Sequence, residues 1–222
     1  MRIKIGSKFL RPAFWVFLLI GSSLPAWNEP GTRIDGPIIL KNFPVHQQET
    51  PYTCGPCASR MVLEYLGHPM AEKDLAKAMG TNSLLGTSNG MLLRGFNKYL
   101  DQSGTGLLAK IIKGKDVSDQ VVADSLRQGF PVIATFLTEN HFKPKTPVGH
   151  YCVIIGIDPQ KREFTLANPF GYIEKMNIDR FWRLAEWHPS AGDIPGVDPS
   201  KLRPYQALRL PRTLVTLSKR QE

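Results

Sequence analysis

No apolar run in this chain reaches the ~20 residues that a helix needs to span a bilayer. The nearest approach is "PAFWVFLLIGSSL", 13 residues from Pro12 to Leu24. Residues 1–26 also lack any acid, while Arg2, Lys4, Lys8 and Arg11 precede that run. A basic start, a short apolar stretch and small residues at Gly21/Ser23 or Leu24/Ala26 read as a secretory signal, with an uncleaved membrane anchor as the other reading. Either puts the body of the protein outside the cytoplasm, in a periplasmic or extracellular setting. The four N-terminal charges account for much of the net +9; without them the excess is +5 and scattered. No basic stripe interleaved with aromatics is present, which argues against a nucleic-acid partner. Internal repeats are also lacking, which argues against a solenoid. What remains is 222 residues, 42% hydrophobic and 21% charged, enough for one domain with a buried core.

The order of elements is helices first, strands after. Behind Cys54 the pairs Cys57/Ala58, Met61/Val62 and Tyr65/Leu66 recur every four residues, which predicts a helix with one apolar face. Pro56 falls in its first turn and Gly67 marks its stop. "MAEKDLAKAM" predicts a second helix closed by Gly80, and "SNGMLLRGFNKYL" a third capped by Ser88. "PIIL" and "GLLAKII" read as strands, and "SDQVVADSLRQG" as a helix between Ser118 and Gly129. From Pro131 on, "PVIATFL", "GHYCVIIGID" and "EFTLANP" are β-branched runs bounded by Gly, Pro and Asp. "MNIDRFWRLAEW" adds a helix, and the Pro-rich last thirty or so residues are expected to wrap the surface. This is an α+β chain with an antiparallel sheet.

The stretch "QQETPYTCGPCASR" places Cys54 at the start of a buried helix. A thiol becomes a nucleophile when ionised, and a helix N-terminus and a nearby imidazolium both favour the thiolate. Of the five histidines, His150 stands out because it opens the strand "GHYCVIIGID", held by the sheet yet at its end. Eighteen residues on, Asn168 in "LANPFG" lies at another strand end, where a side-chain oxygen can accept the second imidazole N–H. Gln48, six residues before Cys54, can donate its amide to a developing oxyanion together with the Cys54 backbone N–H. Together these four make a set for acyl transfer.

From Phe43 to Trp182 the chain resembles the papain-like peptidase C39 family. Gln48…Cys54-Gly55-Pro56, "GFPVIATF", "GHYCVIIGID" and "ANPFG" follow one another in the family's order. The resemblance implies a papain-like fold and a cysteine peptidase acting on a peptide or protein substrate, without cofactor or metal. It implies Cys54 as nucleophile, His150 as general base, Gln48 as oxyanion donor and Asn168 as the third triad member. Bacteriocin-processing members carry Asp at that last position. The organisation expected is residues 1–26 as signal or anchor, 27–187 as the C39-like domain and 188–222 as an extension.

Three other readings of these residues stay open. "CGPC" is also the active-site tetrapeptide of thioredoxin-like oxidoreductases, although "HQQETPYT" before it is polar and broken by proline rather than a central strand. Cys54, Cys57, His150 and Cys152 could gather around zinc. The fold could also serve as an inactive binding module. In a papain-like arrangement Cys57 lies one turn below Cys54, and Cys152 two residues beyond His150. Two buried free thiols are one reading of Cys57 and Cys152, and a Cys57–Cys152 disulfide beneath the site of an exported protein is the other.

Overall fold

The computed structural model describes residues 34–190 and 192–220; the expected signal or anchor at residues 1–26 lies outside them. Local sequence sets the helices. α1 (Cys54–Tyr65) stops where Gly67 takes φ +83°, a region that glycine enters without a Cβ clash. α2 (Glu72–Met79) ends on left-handed Gly80. α3 (Asn89–Gln102) starts at Ser88, whose hydroxyl accepts the Met91 N–H. α4 (Asp119–Arg127) starts the same way at Ser118, which accepts from Val121.

The strands are β1 (Ile38–Ile39), β2 (Leu107–Lys113), β3 (Val132–Glu139), β4 (Pro147–Asp158), β5 (Glu163–Asn168), β6 (Tyr172–Asn177) and β7 (Thr213–Lys219). Among the described residues they form one antiparallel sheet in the order β2-β7-β3-β4-β5-β6, with β1 beside β4. β4 is its axis and is buried from His150 to Ile157. Ala58, Met61 and Val62 of α1 belong to the same core as Val153 and Ile154 of β4 and Phe181 of α5 (Ile178–Ala185). No helix among the described residues is long and apolar enough to cross a membrane.

The sheet is larger than the sequence pattern suggests. The helix expected over residues 176–187 begins only at Ile178, because Asn177 caps it by accepting the Arg180 N–H. The residues before it, Tyr172–Asn177, pair with β5 as a strand. The second difference concerns residues 188–222, expected as a surface extension. α6 (Arg203–Leu208) does have no buried residue, but Thr213–Lys219 then enters the sheet between β2 and β3. Leu214, Val215 and Leu217 are buried there. The sheet thus takes a strand from beyond residue 187.

Candidate active site

The site lies where β4 outruns β5. Pairing between these strands runs from Val153 to Asp158, so the residues of β4 before Val153 have no β5 partner on that side. The N-terminus of α1 fits against this free edge. The backbone N–H groups of Tyr151, Gly55 and Cys54 all reach the Cys54 sulfur and favour its thiolate. Burial works in the opposite direction and is the larger effect, so the thiol is raised above its ordinary value. Cys54 is nevertheless only half-buried, and water at its open side softens the burial effect.

His150 is 3% exposed. Its Nε2 lies 2.8 Å from Asn168 Oδ1. The same Oδ1 accepts the Phe170 backbone N–H at 2.9 Å. A backbone N–H can only donate, so the amide orientation is fixed with oxygen toward the imidazole. Nε2 therefore carries the hydrogen, and Nδ1 is the basic nitrogen. Burial lowers His150 to about 4, against the stabilising bond from Asn168 and with a small further push from His141. Phe170 stacks on the ring at 4.1 Å between centroids, and Phe136 meets it edge-on at 5.9 Å.

Gln48 is tied to the same corner: its backbone N–H donates to Pro169 O at 2.7 Å. Its side chain is buried, and Nε2 donates to the Thr50 carbonyl at 2.6 Å, while Oε1 has no partner among the described residues. One amide hydrogen is thus engaged within the loop. The loop itself is closed by Thr50 and Thr53, which exchange backbone and hydroxyl bonds just before the helix starts. Asn168 thus bonds His150, Gln48 bonds the residue after Asn168, and Cys54 is tied to the residue after His150. A cavity of about 1070 Å³ lies elsewhere: its lining includes Asp119, Arg162, Trp182 and Arg212 and none of these four.

Of the two readings of Cys57 and Cys152, the disulfide is not formed; both are buried free thiols. On β4, Tyr151 has its ring against Gly55 of α1, and its hydroxyl bonds Thr87 O and Asn89 Oδ1. Cys57 meanwhile donates to His46 O at 3.5 Å, and burial, aided by Glu72, pushes its thiol up. Among the described residues no three His, Cys, Asp or Glu side chains gather as a metal site, so the four residues of the zinc reading do not converge on an ion. No strand leads into α1 either, unlike the thioredoxin arrangement.

Sequence reasoning missed Tyr151, Phe170 and Glu174. Phe170 and the Gly171 turn follow Asn168 directly in "ANPFG", so their signal was adjacent. Glu174 reaches Asn168 only through the pairing of β5 with β6.

A helix carrying cysteine at its N-terminus, set against a sheet that carries histidine and asparagine at neighbouring strand ends, is the layout of a papain-like peptidase domain. The family model described as the Peptidase_C39 like family matches residues 40–188, and the chain belongs to this family. Among solved structures, the peptidase domain of Streptococcus ComA, a bi-functional ABC transporter of a quorum-sensing pathway, is similar in fold at TM-score 0.50. It is 15% identical, and the match covers 80% of this chain and 99% of that one. A double glycine motif protease from an AMS/PCAT transporter, solved in complex with the leader peptide, also matches at TM-score 0.50. Identity there is 16%, with 83% of this chain and 99% of that one covered. No curated protein matches the chain by sequence.

Proposed function

We propose that this protein is a cysteine peptidase that hydrolyses peptide bonds through Cys54, His150 and Asn168. The observation that carries this reading is the oriented histidine: Asn168 holds Nε2–H at 2.8 Å and leaves Nδ1 as the base, one residue before Tyr151, whose N–H reaches the Cys54 sulfur. With the thiol raised and the imidazole lowered, both partners rest neutral. The Cys54 proton passes to His150 Nδ1 as sulfur attacks the substrate carbonyl. The imidazolium so formed is stabilised at Nε2–H by Asn168 Oδ1. The carbonyl oxygen becomes an oxyanion that the Cys54 N–H and the second Nε2 hydrogen of Gln48 can receive. Collapse breaks the C–N bond, and the proton on Nδ1 goes to the leaving amine. Water, deprotonated by the same nitrogen, then releases the acyl group from sulfur.

The peptide substrate is part of the proposal, supported by the leader-peptide complex of the AMS/PCAT protease. Export, periplasmic or extracellular, is also part of it and rests on the basic start and the apolar run at Pro12–Leu24. A second reading, the inactive binding module, is favoured by one observation: the Gln48 amide is turned onto Thr50 O. The deciding experiment is Cys54 alkylation as a function of pH, mapped by mass spectrometry, in the wild type and in His150→Ala. The peptidase reading expects fast alkylation near neutrality that depends on His150. Reactivity indifferent to His150 removes the reading.

A further inference from the structure

The third triad position carries a neutral amide, yet a carboxylate stands directly behind it. With Asn168 Oδ1 fixed toward His150 and the Phe170 N–H, its Nδ2 faces the other way and donates to Glu174 Oε1 at 2.6 Å. The sheet builds this contact. Leu166 of β5 is opposite Glu174 of β6, and Asn168 is opposite Tyr172, so Asn168 and Glu174 are diagonal neighbours on one face. Glu174 is partly buried and lines a cavity of about 390 Å³.

We infer that Glu174 is a positioning residue for the triad: its carboxylate holds Asn168 with oxygen toward His150 and supplies, one amide removed, the negative charge that Asn168 lacks. The inference rests on the peptidase reading above. A neutral acceptor at position 174 could hold the amide equally well. Only a charge favours the imidazolium over the neutral ring, and it does so through a short, partly desolvated path.

The other charged and titratable groups facing this corner have their own partners or positions. Arg180 shares the cavity, but its Nε and Nη2 donate to Asp193 O. The Asp193 carboxylate is paired with Arg183. Glu139 accepts the Lys145 N–H, and Tyr172 is raised in pKa by burial and by Glu174 itself. His141, exposed, stacks on Phe170 at 5.0 Å and opposes protonation of His150. Cys152 is buried and raised well above its ordinary value. Glu174 is thus the carboxylate hydrogen-bonded to the residue that holds His150.

The test is the pH dependence of iodoacetamide alkylation of Cys54 in the full chain. Glu174→Gln keeps an acceptor for Asn168 Nδ2 and removes the charge. With both partners neutral at rest, the loss is expected as a roughly tenfold lower rate on the plateau above the acid limb, while the limb itself, set by protonation of His150, moves down. Asn168→Asp/Glu174→Gln moves the charge one residue inward and keeps one hydrogen bond with reversed polarity, so its plateau rate is expected at or above that of the wild type. This double variant decides alone if Glu174→Gln does not fold: a lowered plateau in it overturns the inference. A Glu174→Gln profile that superimposes on the wild type, while His150→Ala does not, overturns the inference and leaves the peptidase reading standing. A wild type that superimposes on His150→Ala removes both.

Discussion

Asn168 Oδ1 accepts the His150 Nε2–H at 2.8 Å, and the two residues belong to adjacent strands, β5 and β4. The bond fixes which ring nitrogen is basic. Asn168→Ala is therefore expected to lower kcat by about 10²-fold or more, through loss of the tautomer and of the imidazolium's partner. Steady-state kinetics on a susceptible peptide checks it. A change confined to KM contradicts the role.

Cys54→Ala is expected to abolish hydrolysis while leaving the fold intact, since the residue is partly exposed and makes no disulfide. Turnover and thermal unfolding measured on the same sample decide this. Residual turnover at the wild-type level excludes Cys54 as nucleophile.

Gln48→Ala is expected to lower kcat by ~10²–10³, the usual loss for one oxyanion donor. The Thr50 carbonyl that now accepts from Gln48 also accepts from Thr53, so the loop keeps an internal tie. An unchanged kcat would mean that the amide stays on Thr50 throughout the reaction.

Acid stability should carry the signature of His150. An unfolded histidine takes up its proton near 6.5, whereas buried His150 does so only near 4. Between these values the unfolded chain binds more protons, so stability falls as pH drops from about 6.5 to about 4, by up to about 3 kcal/mol, and this contribution is fully present above 6.5. Denaturant unfolding from pH 4 to 8 should show that part of the slope missing in His150→Gln. Parallel curves for the two proteins contradict it.

Gly95→Ala should destabilise the helical half. An added Cβ would stand 2.9 Å from the Met79 backbone nitrogen, so α2 and α3 must separate, at a cost of about 1–3 kcal/mol. Equilibrium unfolding measures it. Neutral or higher stability would mean the helices part without strain.

What the sequence made legible was local. The Cys54 helix, its glycine stop and the caps at Ser88 and Ser118 each follow from a few adjacent residues, and the structure has them. His150 and Asn168 were recognisable as strand-end residues because Gly149 and Pro169 punctuate the chain beside them. Register was not legible. That the ring of Tyr151 lies against Gly55 of α1 depends on how helix and sheet pack, which no adjacent residue encodes. The contact of Glu174 with Asn168 likewise needs the pairing of β6 with β5. β7 was hidden by the prolines around it, although "TLVTL" carries a strand's composition.

The place of β7 has a consequence for the order in which the chain can mature. β2 ends at Lys113, yet its partner begins a hundred residues later, at Thr213. Until those residues have left the ribosome, β2 and the outer edge of β3 expose bare backbone donors and acceptors. A nascent chain can therefore form its helices early but cannot close its sheet. The protein reaches its final form only after synthesis has passed residue 219, and it is prone to pairing with other chains if it is cut short.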